Sequence, residues 1–370
     1  MKKIIAVVMA AAMALAMTAC APAEGSSTNT EEDTVNYSYG LTEDGYYEGV
    51  SLSDCVKLPE NYKEIVVSEA NIAPTEEHWE AYRTSVASKI GEKKELTDAA
   101  AENGSFVTID FVGKVDGKEF TGGSASDIDL QIGSGQYLKE FESGIVGHKA
   151  GDTFDVEVVF PEGYGSTTDV DGNEMDLSGK TAVFAITLKS VNEYTLSDEA
   201  VADYFSVYNE DKPDDEKVTT IDGMKENFMT DYYNTMLRNT VVNTLTEACN
   251  IESVPEAVMD AYMHVEMELV EFNAASAGLS AETLVQMNGF ESLEAYEEYI
   301  KENSINSIKS QLALLAIAEK EGIVYDAESC RDTFQGEPDE LIAMYGKGYV
   351  SQNVICSKVI NMLTEAAVVE

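Results

Sequence analysis

Two periodicities divide this chain, and together they limit the folds open to it. Between residues 105 and 191 polar and apolar residues alternate in short runs. Phe106, Thr108 and Asp110 form one face and Val107, Ile109 and Phe111 the other, and alternation returns over 154–160 and 181–191. A period of two belongs to a half-buried strand. Val115-Asp116-Gly117-Lys118 supplies a hairpin turn, residues 140–146 read as a short helix, and Gly and Asp punctuate the pieces. An antiparallel sheet around a short helix accounts for all of this. From about Thr195 the period becomes helical: Met229, Tyr233, Leu237, Val241 and Leu245 recur every four residues, and Val258, Tyr262, Val265, Leu269 and Phe272 alternate by four and three, as do Ile305, Ile308, Leu312 and Leu315. The fold class is α+β, with the sheet over 101–194 and an all-α part of four to six helices over 195–370.

The 370 residues are too many for one ordinary core, and a 44% apolar content suffices for more than one. Upstream, residues 56–100 read as a strand over 62–67 and a helix over 75–90 around Trp79 and Tyr82. Residues 20–55, rich in Ser, Thr, Glu, Gly and Asn, read as a flexible acidic tether. Lys2 and Lys3 followed by the apolar run 4–17 form a targeting segment over 1–19, too short to span a bilayer comfortably.

The charge balance narrows the partners. With 68 acidic against 24 basic residues the net charge is −44, which repels phosphate backbones and excludes nucleic acid as a partner. Cys55, Cys249, Cys330 and Cys356 form no CxxC pair and have no His at ligand spacing, so neither a metal nor a redox motif is expected. Widely scattered cysteines also serve as small buried apolar residues, and no functional disulfide is expected. His78, His148 and His264 are dispersed and read as structural or surface residues.

Two stretches resemble known families. Met17-Thr18-Ala19-Cys20 resembles the lipobox read by lipoprotein signal peptidase, with Met17 where that pattern usually has Leu. The resemblance implies that Cys20 carries diacylglycerol and holds the protein on the extracytoplasmic face of the cell membrane; two acyl chains are enough for stable anchoring. Secretion without lipidation is the alternative. Further on, SFVTIDFVG (105–113), DGKEFTGG (116–123), DLQIGSGQYLKEFESG (129–144), GHKAGD (147–152), VFPEGY (159–164) and GKTAVFAITL (179–188) follow one another in an order that closely resembles the FKBP-type domain of trigger factor. Residues 56–100 resemble the linker before that domain. Asn250-Ile-Glu-Ser-Val-Pro-Glu256 and the helices after it are similar, more loosely, to the trigger factor C-terminal arms, which in the family cradle unfolded chains. The implied fold is FKBP-like, followed by an all-α arm domain.

The resemblance implies a peptidyl-prolyl cis-trans isomerase. By motif Phe111, Phe120, Phe141, Tyr164 and Phe184 would be catalytic together with the backbone N–H of Leu138, which would anchor the substrate carbonyl; Ile128 and Tyr137 would contact substrate, Phe141 would form the floor, and Tyr164 would donate a hydroxyl. Taken singly, Phe111, Phe120 and Phe184 read equally well as core. No cofactor or metal is implied. Thr121 stands where drug-binding relatives carry Asp, which points to poor macrolide binding, and the stretch 165–178 is longer than the matching family loop. Its Asp169, Asp171, Asn173 and Asp176 lack the spacing of a calcium loop and read as a polar turn. The family's ribosome-docking domain has no counterpart here, so the expected partners are newly exported polypeptides with Xaa-Pro bonds and the membrane, with no ribosome. Two other readings remain at this point: a holdase with a non-catalytic isomerase module, and a solute-binding lipoprotein, for which the expected βαβ alternation is missing.

Overall fold

The computed structural model describes residues 35–96, 98–161, 164–210 and 212–370. The targeting segment, the lipobox and Cys20 lie outside the described residues. The described residues form two compact units: Pro74–Asp231, and residues 35–73 together with Tyr232–Glu370.

The described chain opens within the second unit. Residues 35–55, expected as tether, are packed onto that unit instead. Tyr37 meets Tyr345 edge-on at 5.2 Å, Tyr39 stacks on His264 at 3.6 Å, and the Asn36 N–H donates to Glu268 at 2.7 Å. The Ser38 hydroxyl donates to the Tyr345 carbonyl and accepts from the Tyr349 N–H. Tyr47 is buried, its hydroxyl donating to Gln311 at 2.6 Å. Gly45 runs so close to the neighbouring backbone (φ +85°) that a Cβ there would lie 2.4 Å from the Gln352 nitrogen. Polar composition concealed four tyrosines, at 37, 39, 46 and 47; Tyr47 is buried, Tyr37 and Tyr46 are half-buried, and the more exposed Tyr39 holds on by its stack with His264. The first elements, α1 (Leu52–Cys55) and β1 (Val66–Val67), complete this strap; the strand is shorter than the expected 62–67.

The first unit begins with α2 (Glu76–Ile90). Its N-terminus is closed by a capping box in which Thr75 accepts from the His78 N–H while the His78 ring accepts from the Thr75 N–H. Trp79, Val86 and Ala87 on its inner face pack with Val201, Phe205 and Met224, drawn from α4 (Asp198–Tyr204) and its surroundings and from α5 (Ile221–Ala248). The sheet holds β2 (Glu92–Leu96), β3 (Phe106–Val115), β4 (Lys118–Gln131), β5 (Thr153–Val159) and β8 (Thr181–Thr195), all antiparallel; a separate hairpin consists of β6 (Ser166–Thr168) and β7 (Glu174–Asp176). Long β8 is central. It pairs with β3 along one edge, while β5 and β2 share its other edge end to end, and β4 lies outside β3. Val107, Ile109, Phe111, Phe184, Ile186 and Leu188 share one buried face with Phe141 and Ile145 of the α3 region (α3, Lys139–Ser143).

Both neighbours of β3 slip register close to Asp110. Asp127 takes a left-handed conformation (φ +55°) and donates its N–H to Asp110 at 2.8 Å, while Lys189 bridges Asp110 and Asp127. Such bulges bend a sheet and re-aim the side chains beside them, here next to Phe111.

The second unit continues through α6 (Glu256–Ser276), α7 (Ala281–Met287), α8 (Leu293–Glu321), α9 (Ala327–Phe334), α10 (Pro338–Tyr345) and α11 (Lys347–Ala366), and ends in β9 (Val368–Val369), which pairs in parallel with β1. Pro255 is the N-cap of α6. Eight helices follow Thr195 among the described residues where four to six were expected; α4, α7, α9 and α10 have only seven or eight residues, too few to display a period. The core is built from Ile308, Leu312 and Leu315 of α8 against Ile355, Val359 and Leu363 of α11, joined by Val241, Val242 and Leu245 of α5. All four described cysteines are unpaired thiols; burial pushes Cys249 up to about 11 and Cys356 up to about 12, so both stay protonated and unreactive. No described helix is long and apolar enough to cross a membrane.

Candidate active site

The aromatic residues singled out by motif meet in one continuous network. Tyr137 stacks on Phe141 at 4.9 Å; Phe141 meets Phe111 and Phe184 edge-on at 5.2 Å each; Phe184 meets Phe120 at 6.3 Å. Phe120 continues to Phe160 at 6.0 Å, and Phe160 to Tyr164 at 4.4 Å. Phe111, Phe120, Phe141 and Phe184 are buried and form a floor, while Ile128, Tyr137, Leu138 and Tyr164 are half-buried against the same cluster and form its rim. Each edge-to-face pair adds about 0.5–1.5 kcal/mol beyond the area it buries, so the rings hold one another in place. Gly113 makes this possible, since a Cβ there would approach the Phe184 ring to 2.4 Å.

The backbone at Leu138 is poised at the rim. Leu138 precedes α3 with φ −57° and ψ 143°, and no described residue accepts its N–H. The turn leading to it is gathered by one carboxylate. Glu142, 3% exposed, accepts the N–H groups of Gly133 at 2.8 Å, Gly135 at 3.2 Å and Tyr137 at 2.9 Å, and the Ser134 hydroxyl at 3.4 Å. Burial raises the phenol pKa values of Tyr137 and Tyr164, the nearby Glu142 charge adding to the first, so both hydroxyls stay protonated and able to donate.

The long stretch 165–178, expected as a polar turn, is a hairpin, β6–β7, with a polar turn at its tip. It lies along the start of β4: Phe120 and Asp169 form a bridge, the Val170 N–H donates to the Glu119 carbonyl, and the Thr167 hydroxyl donates to the Thr121 carbonyl. The Thr121 hydroxyl is engaged with that of Thr168 at 2.9 Å, so the side chain standing where drug-binding relatives carry Asp secures the hairpin. Met175 and Leu177 pack on the aromatic cluster. Asp169 is buried and accepts from the Asp171 and Asn173 N–H groups, the Asn173 amide and Lys118. These partners hold its carboxyl far below the usual carboxylate range.

The histidines are engaged as structural residues: His78 in the α2 cap, His148 stacked on Phe154 at 3.5 Å, and His264 between Tyr39 and Glu268. What the site offers chemically is a water-poor aromatic surface with a backbone donor at its edge. Phe160 and Glu142 escaped the sequence reading. Phe160 had a signal in its block VFPEGY; for Glu142 the one hint was the Gly-Ser-Gly turn, a natural nest of N–H groups seven to nine residues ahead of a carboxylate.

The comparisons with known proteins agree with this architecture. The FKBP-type peptidyl-prolyl cis-trans isomerase family matches residues 97–189, and the bacterial trigger factor C-terminus family matches residues 224–365. A trigger factor of Halothermothrix orenii is 33% identical over 71% of this chain and 58% of its own length. One of Streptococcus pneumoniae is 31% identical over 80% of this chain and 67% of its own length. The chain thus spans about three fifths to two thirds of these relatives. A solved structure of the trigger factor chaperone is 18% identical, covering 84% of this chain and 72% of that one with a TM-score of 0.34, too low a likeness to carry an argument. On the sequence relatives and the two family matches, this chain belongs to the trigger factor family and carries an FKBP-type isomerase domain.

Proposed function

We propose that the chain is a peptidyl-prolyl cis-trans isomerase and chaperone for exported polypeptides, anchored outside the cell membrane by lipid on Cys20. The observation that carries the catalytic part is the continuous aromatic network with the unaccepted Leu138 N–H at its rim. Rotation about Xaa-Pro is slow because twisting the amide forfeits resonance, a barrier of about 20 kcal/mol. A twisted amide is less polar than a planar one, so an apolar surface favours it over the ground state. The Leu138 N–H holds the neighbouring carbonyl while the prolyl bond turns over the Phe141 floor, and Tyr164 donates from the opposite end. The effect is differential binding of the twisted state, and no nucleophile or titrating base takes part.

The extracytoplasmic part rests on the basic-then-apolar start and the lipobox-like Met17–Cys20. The net charge of −44 fits a client-facing protein that avoids the ribosome and nucleic acid. The helical unit supplies client contact, with Phe272, Tyr299 and Ile305 exposed on α6 and α8.

The deciding experiment is a protease-coupled Xaa-Pro peptide assay on the protein lacking residues 1–20. Replacing Phe141 by Leu and Tyr164 by Ala should lower kcat/KM by about tenfold or more with the sheet intact by circular dichroism. Unchanged turnover in that variant rejects the catalytic reading. Aggregation suppression by a wild-type protein without turnover selects the holdase instead.

A further inference from the structure

We infer that Glu142 is a positioning residue for the isomerase site, the group that sets the Leu138 N–H at the rim of the aromatic cluster. The inference rests on the isomerase reading above and deepens it. A buried carboxylate is costly to desolvate and persists where several donors satisfy it. Glu142 meets that condition with donors from a single turn, Gly133, Ser134, Gly135 and Tyr137, all within the six residues before Leu138. Its own backbone is fixed, because its N–H donates to the Leu138 carbonyl at 3.2 Å. The side chain of Glu142 thus draws in the turn from one side while its main chain holds Leu138 from the other. The preceding residue in α3, Phe141, is the floor of the site, so floor and donor are set by adjacent positions of one short helix. Tyr137, whose N–H is among those gathered, stacks on Phe141.

The chemistry of the donors makes the role specific. A carboxylate only accepts, and every described partner of the Glu142 side chain donates. Glutamine is of equal size but turns an NH₂ toward those N–H groups, so at least part of the turn must swing away and carry Leu138 with it. Displacement of a binding group by a fraction of an ångström to an ångström is enough to cost ten- to a hundredfold in rate.

The test is Glu142→Gln in the full chain, with kcat and KM for a Xaa-Pro peptide and calorimetric binding of an uncleaved proline peptide. We expect a native near-ultraviolet circular dichroism spectrum, a rise in KM, and kcat/KM per folded molecule reduced about tenfold or more. A carboxylate with only a structural role lowers the thermal midpoint and leaves kcat/KM per folded molecule unchanged; that result overturns the inference. If the glutamine variant does not fold, Glu142→Asp, which keeps the charge on a shorter arm, serves instead and should show a smaller loss; wild-type kinetics in it are equally fatal. A wild-type protein that binds proline peptide without turning it over rejects the isomerase reading and leaves binding to decide. Weaker binding in Glu142→Gln then supports the positioning role, and equal binding, or no binding by the wild type, overturns it.

Discussion

At the scale of single residues, the site depends on atoms that a sequence does not display. The aromatic members were legible because their blocks occur in a known order, although Phe111, Phe120 and Phe184 singly resemble any strand core. The backbone donor was legible only through resemblance, and Glu142 hardly at all, since no spacing reveals that a carboxylate turns inward to collect N–H groups. The donor can be deleted by a substitution that the local geometry tolerates. Leu138 has φ −57°, inside the range to which proline is locked, and no described group needs its N–H. Leu138→Pro should therefore fold and lose roughly ten- to a hundredfold in kcat/KM, the worth of one hydrogen bond in a water-poor site. Leu138→Ala, which keeps the N–H, should retain most of the activity; equal kinetics for the two variants would show that the donor plays no part.

At the scale of elements, length decided what could be read. Strands β3 and β8 are long enough to show their alternation, and α5, α6 and α8 their helical stripe. β6 and β7 have three residues each and carry no period, so the hairpin they form passed for a turn. Besides its contacts with β4, the hairpin is held from within by Asp169, whose partners depress its pKa. The stabilisation from this carboxylate is complete above the ordinary aspartate pKa of about 3.9 and is lost as pH falls below it toward the depressed folded value. In Asp169→Asn the charge on Lys118 is unmatched and one acceptor is gone. Amide exchange at Asp171 and Asn173 should speed up by about tenfold or more while the central strands stay protected. Unchanged exchange at those two amides would mean that the hairpin is held by its contacts with β4 alone.

At the scale of the whole molecule, the fold class and the order of sheet before helices were legible, and the partition of the chain was not. Residues 35–73 are remote in sequence from α6, α8 and α11, and nothing local announces that they pack with them. The helical unit also contains a buried acid that links its stability to pH. Glu266 on α6 is pushed up to about 7 by burial; the Tyr262 hydroxyl bonds to it, Tyr296 lies nearby, and its Oε1 has no partner. A raised folded pKa means that stability is full below the unfolded value of about 4.3 and declines as pH rises through 7. Glu266→Gln should abolish that decline and raise stability at pH 8 by about 3 kcal/mol, with little change near pH 4; thermal melts across this range test it. A pH profile identical to that of the wild type would place the titrating group elsewhere.

The tyrosine strap, finally, shortens the leash. With lipid on Cys20 as proposed, about fifteen residues separate the anchor from Val35, the first described residue of the segment that packs onto the helical unit. Fully stretched, that length reaches roughly 50 Å, whereas a tether running to residue 55 would reach roughly 120 Å. The difference is one of jurisdiction: so anchored, the helical unit would be confined to a layer over the bilayer, and a chain leaving the membrane would meet it at high local concentration from the first residues it exposes.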